Sequence, residues 1–332
     1  MKLGEIVAAP SGRYQVIRKL GWGEYSTVWL VRSQSSQNYA AMKVMKAVLT
    51  DRPELRETEY LRRVMTADPT HPGFQHISHL IEDFRFEGPN GEHVCIVTEL
   101  LGQNLHQYSK RFPRHQVPIA IVKSILRQLL AGLMYLHEKC NIIHTDIKTT
   151  NVLLTLPDGA TTTPINLIPD KPTVKLIDLG VACWADGVDD HWTEFIQNPA
   201  LRAPEVSIGA GWGTPADVWS LGILIFELAT GTFMVPDDAH EISIPYMHAM
   251  LFGPYPLALI KKGKYSDAFF KEDGSQLYPQ DAQAPMADTI RQFYKGPDLE
   301  GLTQFLETVF RLDPEERPTL RNLSQHPWLS TT

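Results

Sequence analysis

The sequence predicts an α+β protein of two lobes, a small antiparallel sheet with one helix followed by a larger and mainly helical lobe. Three observations carry this. Apolar residues alternate at period two in stretches near 14–20, 27–32, 39–46, 79–86 and 93–98, interrupted once by a helical pattern at 53–66. Beyond ELLGQ (99–103) the period changes to that of helices, at 117–138, 215–230, 245–252 and 299–310. A chain of 332 residues that is 43% hydrophobic can furnish the cores both lobes need. The expected domain spans 14–329, with a small lobe at 14–98, a hinge at 99–103 and a large lobe at 104–329. A turn-rich segment at 156–173, LPDGATTTPINLIPDKPT, is an inserted loop or hairpin in the large lobe.

The most informative stretch is IIHTDIKTTNVLL (142–154), where Asp146, Lys148 and Asn151 stand at offsets 0, 2 and 5. These are the offsets of the catalytic loop of protein kinases. There Asp146 would accept the proton of an attacking hydroxyl, Lys148 would sit over the transferring phosphoryl group, and Asn151 would hold a metal ion. Taken alone, a polar hexad between apolar residues is equally well an ordinary loop.

The other parts follow the order the chemistry needs. Two strand-like segments flank LGWGEYSTV (20–28), where Gly21 and Gly23 would let a hairpin backbone approach phosphate oxygens closely. Ser26 replaces the third glycine of the usual pattern, so the glycines alone fit a hairpin with no ligand as well; with the other motifs, Leu20, Gly21, Trp22, Gly23, Glu24, Tyr25, Ser26, Thr27 and Val28 are taken as the nucleotide cover. Lys43, between Ala41 and Val44 on a strand, is costly to bury alone and should meet a carboxylate or a phosphate. The helix after it offers Glu54, Glu57 and Glu59, of which Glu57 shares a face with Leu61 and Val64. Asp178 ends an apolar strand in VKLIDLG as a second metal ligand, next to a glycine that permits an unusual turn. One amide and carboxylate oxygens hold Mg²⁺ only when ATP supplies the remaining ligands. Thr98 precedes the hinge, and a residue this small leaves a pocket behind the adenine, which Glu99, Leu101 and Leu153 would also border. ALRAPEV (200–206), ADVWSLGILIFELATG (216–231) and RLDPEERPT (311–319) resemble the end of a kinase activation segment, its buried central helix and its closing element. Arg317 would pair with Glu205, and Asp217 would hold the catalytic-loop backbone. The ordered set resembles the bilobal protein kinase fold, with ATP and Mg²⁺ as cofactors.

Composition narrows the setting. A net charge of −7 and an isoelectric point near 5.9 argue against nonspecific nucleic-acid binding and favour basic partners. Cys95, Cys140 and Cys183 lack metal-binding spacing and are expected as reduced core thiols, which suits the cytoplasm or the nucleus. The first residues show no signal peptide, and VWSLGILIF, read as the longest nearly uncharged apolar run, is too short to span a bilayer. A monomer with no membrane partner is expected.

KLGWGEYSTVWLVRS, AAMKVMK, NGEHVCIVTELLG, IIHTDIK and IDLGVACW together resemble the SR-protein kinases over about residues 3–329, and IQNPALRAPEV points to a compact fungal-type member. The resemblance implies a Ser/Thr kinase acting on serines of Arg/Ser-rich, splicing-factor-like proteins. Thr145 stands where most regulated kinases carry the arginine that clamps a phosphorylated loop, which implies activity without loop phosphorylation. Thr193 is the sole hydroxyl residue between 179 and 201, a stretch that also carries Asp186, Asp189, Asp190 and Glu194. That acidic set is either a solvated loop or an attractor of arginine-rich peptides. The chain departs from the family where Thr149 and Thr150 replace Pro-Glu. Thr232, Ser243 and Met250 fall where animal members carry an acidic docking groove, and PDDAHE (236–241) keeps some negative charge nearby. The alternatives are an ATP-binding pseudokinase scaffold, which the presence of Lys43, Asp146, Asn151 and Asp178 disfavours, and a small-molecule phosphotransferase, which ALRAPEV disfavours.

Overall fold

A computed structural model describes residues 1–23, 25–49, 56–157, 160, 171–187, 195–236, 238–278 and 284–330. Glu24, Glu54, most of the 156–173 segment, Asp189, Asp190, Thr193, Glu194 and Asp237 lie outside the described residues.

The small lobe is one antiparallel sheet of six strands in the order β1 (Ile6–Ala9), β2 (Gly12–Trp22), β3 (Ser26–Ser33), β4 (Tyr39–Met45), β6 (Gly91–Glu99) and β5 (Leu80–Gly88), with α1 (Glu57–Thr66) between β4 and β5. Five strands were expected. The sixth, β1, is only four residues long and depends on pairing Val7 with Tyr14, a contact that a short local pattern does not announce. The pleat sorts the side chains: Ala40, Met42 and Val44 join Val16, Val31, Cys95 and Val97 in a core on one face of the sheet. Ala41 and Lys43 therefore project from the opposite face, toward the second lobe.

Two helices organise the large lobe. Helix α3 (Ile119–Met134), preceded by α2 (Leu105–Ser109), continues into a π-helical turn, Tyr135–Cys140. By length and composition the helical stretch Pro113–Cys140 could cross a bilayer, a candidate longer than the VWSLGILIF run. It packs instead as a core helix, with Ile125, Leu126 and Leu130 fully buried. The chain then runs through β7 (Ile142–Ile143), β8 (Val152–Leu154), β9 (Val174–Leu176), β10 (Cys183–Trp184) and α4 (Pro204–Ser207) into α5 (Pro215–Thr230). Helix α5 is buried almost all round, and a Cβ on Gly222 would stand 2.6 Å from Val309 of α9 (Leu299–Val309). Helices α6 (Ile244–Phe252), α7 (Leu257–Lys262), α8 (Met286–Phe293), α10 (Leu320–Ser324) and α11 (Pro327–Ser330) complete the lobe. All three cysteines are free and buried.

Candidate active site

A cleft of about 690 Å³ lies between the lobes, within the range of small-ligand sites. Its roof is the β2–β3 hairpin. Neither Gly21 nor Gly23 has an atom within 4 Å of where a Cβ would sit, so what glycine keeps clear there is open space for a ligand. Leu20, Gly21, Trp22, Gly23, Ser26 and Val28 line the cleft, as do Ala41, Lys43, Thr98, Glu99, Leu101 and Leu153. Tyr25 and Thr27 do not. Thr27 lies between Ser26 and Val28 on a strand, and the pleat turns it to the other face; Tyr25, at the turn, is exposed.

Thr98 borders the cleft together with Leu61, Ser78 and Ile96. The Glu99 carboxylate is already engaged, receiving Lys175 Nζ at 2.6 Å and the His79 backbone N–H at 2.8 Å. The Glu99 N–H is spent as well, on His79 O at 3.2 Å, which leaves the backbone carbonyl for a nucleotide. Lys175, buried on β9, was missed because a single lysine in an apolar run carries no sign of its partner.

Lys43 meets two carboxylates, Glu57 at 2.7 Å and Asp178 at 2.7 Å. Burial by itself would push the ammonium down, but Glu57 and Asp178 outweigh it and hold the Lys43 pKa above its ordinary value. Burial raises the Glu57 carboxyl, with Lys43 opposing. Burial would also raise Asp178, yet Lys43 dominates and keeps its pKa below the ordinary carboxylate value. Asp178 itself adopts a left-handed backbone, φ 68°, and not the glycine two residues on. Gly180 supplies room instead: a Cβ there would sit 3.0 Å from Asp178 Oδ1 and 3.3 Å from Lys43 Nζ.

The catalytic segment is held from below. Asp217, at the start of α5 and fully buried, accepts the backbone N–H groups of His144 at 2.8 Å and Thr145 at 2.9 Å, and His137 Nε2 lies at 2.8 Å. Burial would raise the Asp217 pKa; the bond to His137 leads the effects that lower it instead. These bonds hold Thr145 at φ 68°, a conformation costing on the order of 1–3 kcal/mol for a branched residue. Thr145 Oγ1 donates to Val181 O at 2.7 Å, so a neutral bond ties the catalytic loop to the next segment. His144 Nδ1 accepts from the Asp146 N–H at 3.2 Å, which leaves Nε2 to donate to Ile177 O at 3.0 Å.

Asn151 Nδ2 donates to Asp146 Oδ2 at 2.8 Å, and Lys148 Nζ lies 2.8 Å from the same oxygen. Both donors use Oδ2, leaving Asp146 Oδ1 to take a proton and Asn151 Oδ1 to take a cation. Asn151 and Asp178 both border the cleft. Among the described residues no cluster of three or more His, Cys, Asp or Glu side chains could hold a metal by itself. A divalent ion here therefore fits only with phosphate oxygens completing its shell. Further off, Arg317 Nη1 and Nη2 grip Glu205 at 2.6 and 2.5 Å as expected.

A proton acceptor, a lysine beside it, two metal-binding oxygens and a glycine-roofed cleft with a paired lysine can together move a phosphoryl group, and the fold and site define a protein kinase. A family model described as "Protein kinase domain" matches residues 14–329. The serine/threonine-protein kinase SRPK of Physarum polycephalum is 32% identical over 99% of this chain and 88% of its own length. SRSF protein kinase 3 of Mus musculus is 28% identical over 99% and 88%, and protein kinase dsk1 of Schizosaccharomyces pombe 28% over 96% and 80%. A solved kinase-domain structure superposes with a TM-score of 0.80 at 23% identity, covering 99% of this chain and 98% of that one; at that identity it speaks for the fold alone. The chain belongs to the protein kinase family and, within it, to the SR-protein kinases, enzymes of the Ser/Thr type that use ATP with a divalent metal and act on proteins.

Proposed function

We propose that this enzyme transfers the γ-phosphoryl group of Mg-ATP to serine hydroxyls in Arg/Ser-rich, splicing-factor-like proteins. The observation that carries the assignment is the convergence of Lys148 and Asn151 on one oxygen of Asp146, with Asn151 lining the same cleft as Lys43, Glu57 and Asp178. When bound, Mg-ATP supplies the phosphoryl group and neutralises its charge. Asp146 accepts the serine proton through Oδ1, Lys148 stabilises charge on the transferring group, and Asn151 and Asp178 hold Mg²⁺. Lys43 orients the phosphates with Glu57 fixing it, under the glycine turn.

Arginine preference rests on the family membership and on the −7 net charge. Activity without loop phosphorylation is supported by bonds already in place. Lys43 and Glu57 are paired, Thr145 bonds Val181, and the segment after the loop is anchored by one amide side chain and one guanidinium. Gln197 Nε2 donates to Ala216 O at 3.0 Å and lies 2.8 Å from Ser220 Oγ, while Arg202 donates to Ile196 O at 3.2 Å. Thr232, Ser243 and Met250 leave the docking-groove positions uncharged, so arginine should be read near the phosphoacceptor. A monomer without nucleic-acid affinity in the cytoplasm or nucleus completes the proposal.

The test is a peptide array comparing Arg-Ser repeats with Lys-Ser and acidic serine peptides. The expected result is turnover of the Arg-Ser set at least about tenfold above the others, the size of one good charged hydrogen bond. Equal turnover of all three would overturn the arginine assignment and leave the kinase.

A further inference from the structure

Lys175 stands on β9 with 9% of its side chain exposed, and a lysine is costly to bury unless its ammonium is paired. Its partners bracket the hinge. Nζ lies 2.6 Å from Glu99 Oε1 and 3.4 Å from His79 Nδ1. The His79 ring can serve both neighbours: Nε2 lies 3.0 Å from Phe74 O and must donate there, which leaves Nδ1 with a lone pair for Lys175. Burial, then Lys175, lower the His79 pKa, so this ring is neutral at pH 7. His79 and Glu99 flank the open end of the β5–β6 pair, one step beyond Leu80 and Thr98. They also bond each other directly. The Glu99 N–H donates to His79 O at 3.2 Å, and the His79 N–H donates to Glu99 Oε1 at 2.8 Å.

These bonds tie the hinge to the large lobe through β9. The Ser78 N–H donates to Leu176 O and the Ile177 N–H to Asn151 O, both at 2.9 Å, so the strand that carries Lys175 is stitched on one side to the approach of β5 and on the other to the catalytic loop. Lys175 thus stands between Glu99, which borders the cleft, and Asp178, three residues further along the chain. Adenine offers its exocyclic amino group as a donor. A hydrogen bond weakens steeply once its angle is lost, so the acceptor at the hinge must be held in place before the nucleotide arrives. We propose that Lys175 is a positioning residue for the nucleotide: by anchoring the Glu99 carboxylate it fixes the Glu99 carbonyl where that carbonyl accepts from the adenine amino group. A second-best anchor is not at hand, because with Lys175 removed the carboxylate would keep only the His79 N–H as a donor among the bonds described above. This inference goes beyond the Arg/Ser assignment and does not depend on it, since it concerns the nucleotide alone.

The test uses the full chain and two nucleotides, ATP and purine riboside triphosphate, which carries hydrogen in place of the amino group. The readout is the ratio of their dissociation constants from equilibrium titration, in which the folded fraction of a preparation cancels. The wild type should prefer ATP by about fivefold or more, the size of one hydrogen bond. In Lys175→Met that preference should fall to about twofold or less, while Lys175→Arg, which keeps a cation for Glu99, should retain most of it. Glu99→Gln weakens the same anchor from the other side and should lower the preference too; adding Lys175→Met to it should lower it no further, as for two residues acting through one contact. An undiminished preference in Lys175→Met, or an equal loss in Lys175→Arg, would overturn the inference. A wild type that binds the two nucleotides alike would overturn it as well. Each of these results leaves the Arg/Ser assignment standing, because the peptide array tests that separately.

Discussion

The Lys43–Glu57–Asp178 cluster and the Glu205–Arg317 pair use the same charges at nearly the same distances, and they do opposite work. In the second, Arg317 is saturated: it grips both oxygens of Glu205, donates to Arg311 O, Pro215 O and Leu312 O, and lies over the Trp219 ring at 5.1 Å. The pair is 0% and 1% exposed. Such a pair has no capacity for a ligand, and its role is to pin α4 beneath α5. The cleft cluster spans both lobes, keeps 18% and 41% of the Lys43 and Asp178 side chains exposed, and joins one ammonium to two carboxylates. That surplus of negative charge would be relieved by a metal on Asp178 and a phosphate on Lys43, as the proposed function requires. Saturation marks the structural pair, and incomplete neutralisation marks the working one.

Substitutions should separate the two. Asp146→Asn is expected to lower kcat by about 10²–10⁴-fold and Lys43→Met by about 10²–10³-fold, with folding little changed and nucleotide affinity retained in Asp146→Asn; single-turnover rates, nucleotide titration and melting curves check this. Arg317→Met should reverse the pattern, removing about 3–5 kcal/mol of stability because Glu205 stays buried and unpaired. Denaturant midpoints measure it. If Arg317→Met spared stability and abolished turnover, the contrast would collapse.

A fourth variant sharpens the buried side. His248 bonds Tyr255 Oη at 2.8 Å and meets the Trp219 ring edge to face, with centroids 5.1 Å apart. Burial, and then Arg317, pushes its pKa down to about 3. The neutral ring's contribution is complete above about 6.5, the unfolded value, and is lost as pH falls from there through about 3. Between pH 6.5 and 5 this removes about 2 kcal/mol, so the urea midpoint should fall more between pH 7 and 5 in the wild type than in His248→Gln. The smallest effect belongs to the loop: Thr193→Ala should leave turnover within about twofold, since Thr145 offers no cation for a phosphate to pair with. A severalfold rise in activity on phosphorylation of Thr193 would count against that.

Much of the architecture was legible because side-chain period follows directly from element type. Period two marked β2 to β6, and a mostly apolar helical run marked α5, whose observed bounds match the expected 215–230. The edge strand β1 was not legible, being four residues with no pattern of their own. At the site, Glu57 was preferred over Glu54 and Glu59 for the face it shares with Leu61 and Val64, and the folded chain brings it to Lys43.

What the sequence alone determined is the inventory and its order: which residues can carry a proton, a metal or a phosphate, and which stretches must be buried. Those follow from local chemistry and periodicity. Tertiary structure alone decided how the groups are used. It turned Asp178 and Thr145 left-handed, spent the Glu99 carboxylate on Lys175, removed Thr27 from the cleft and placed Glu227 beside Thr149. Each of these joins residues far apart in the chain or sets a torsion against its local preference, and only the packing of the whole fold supplies the energy for either.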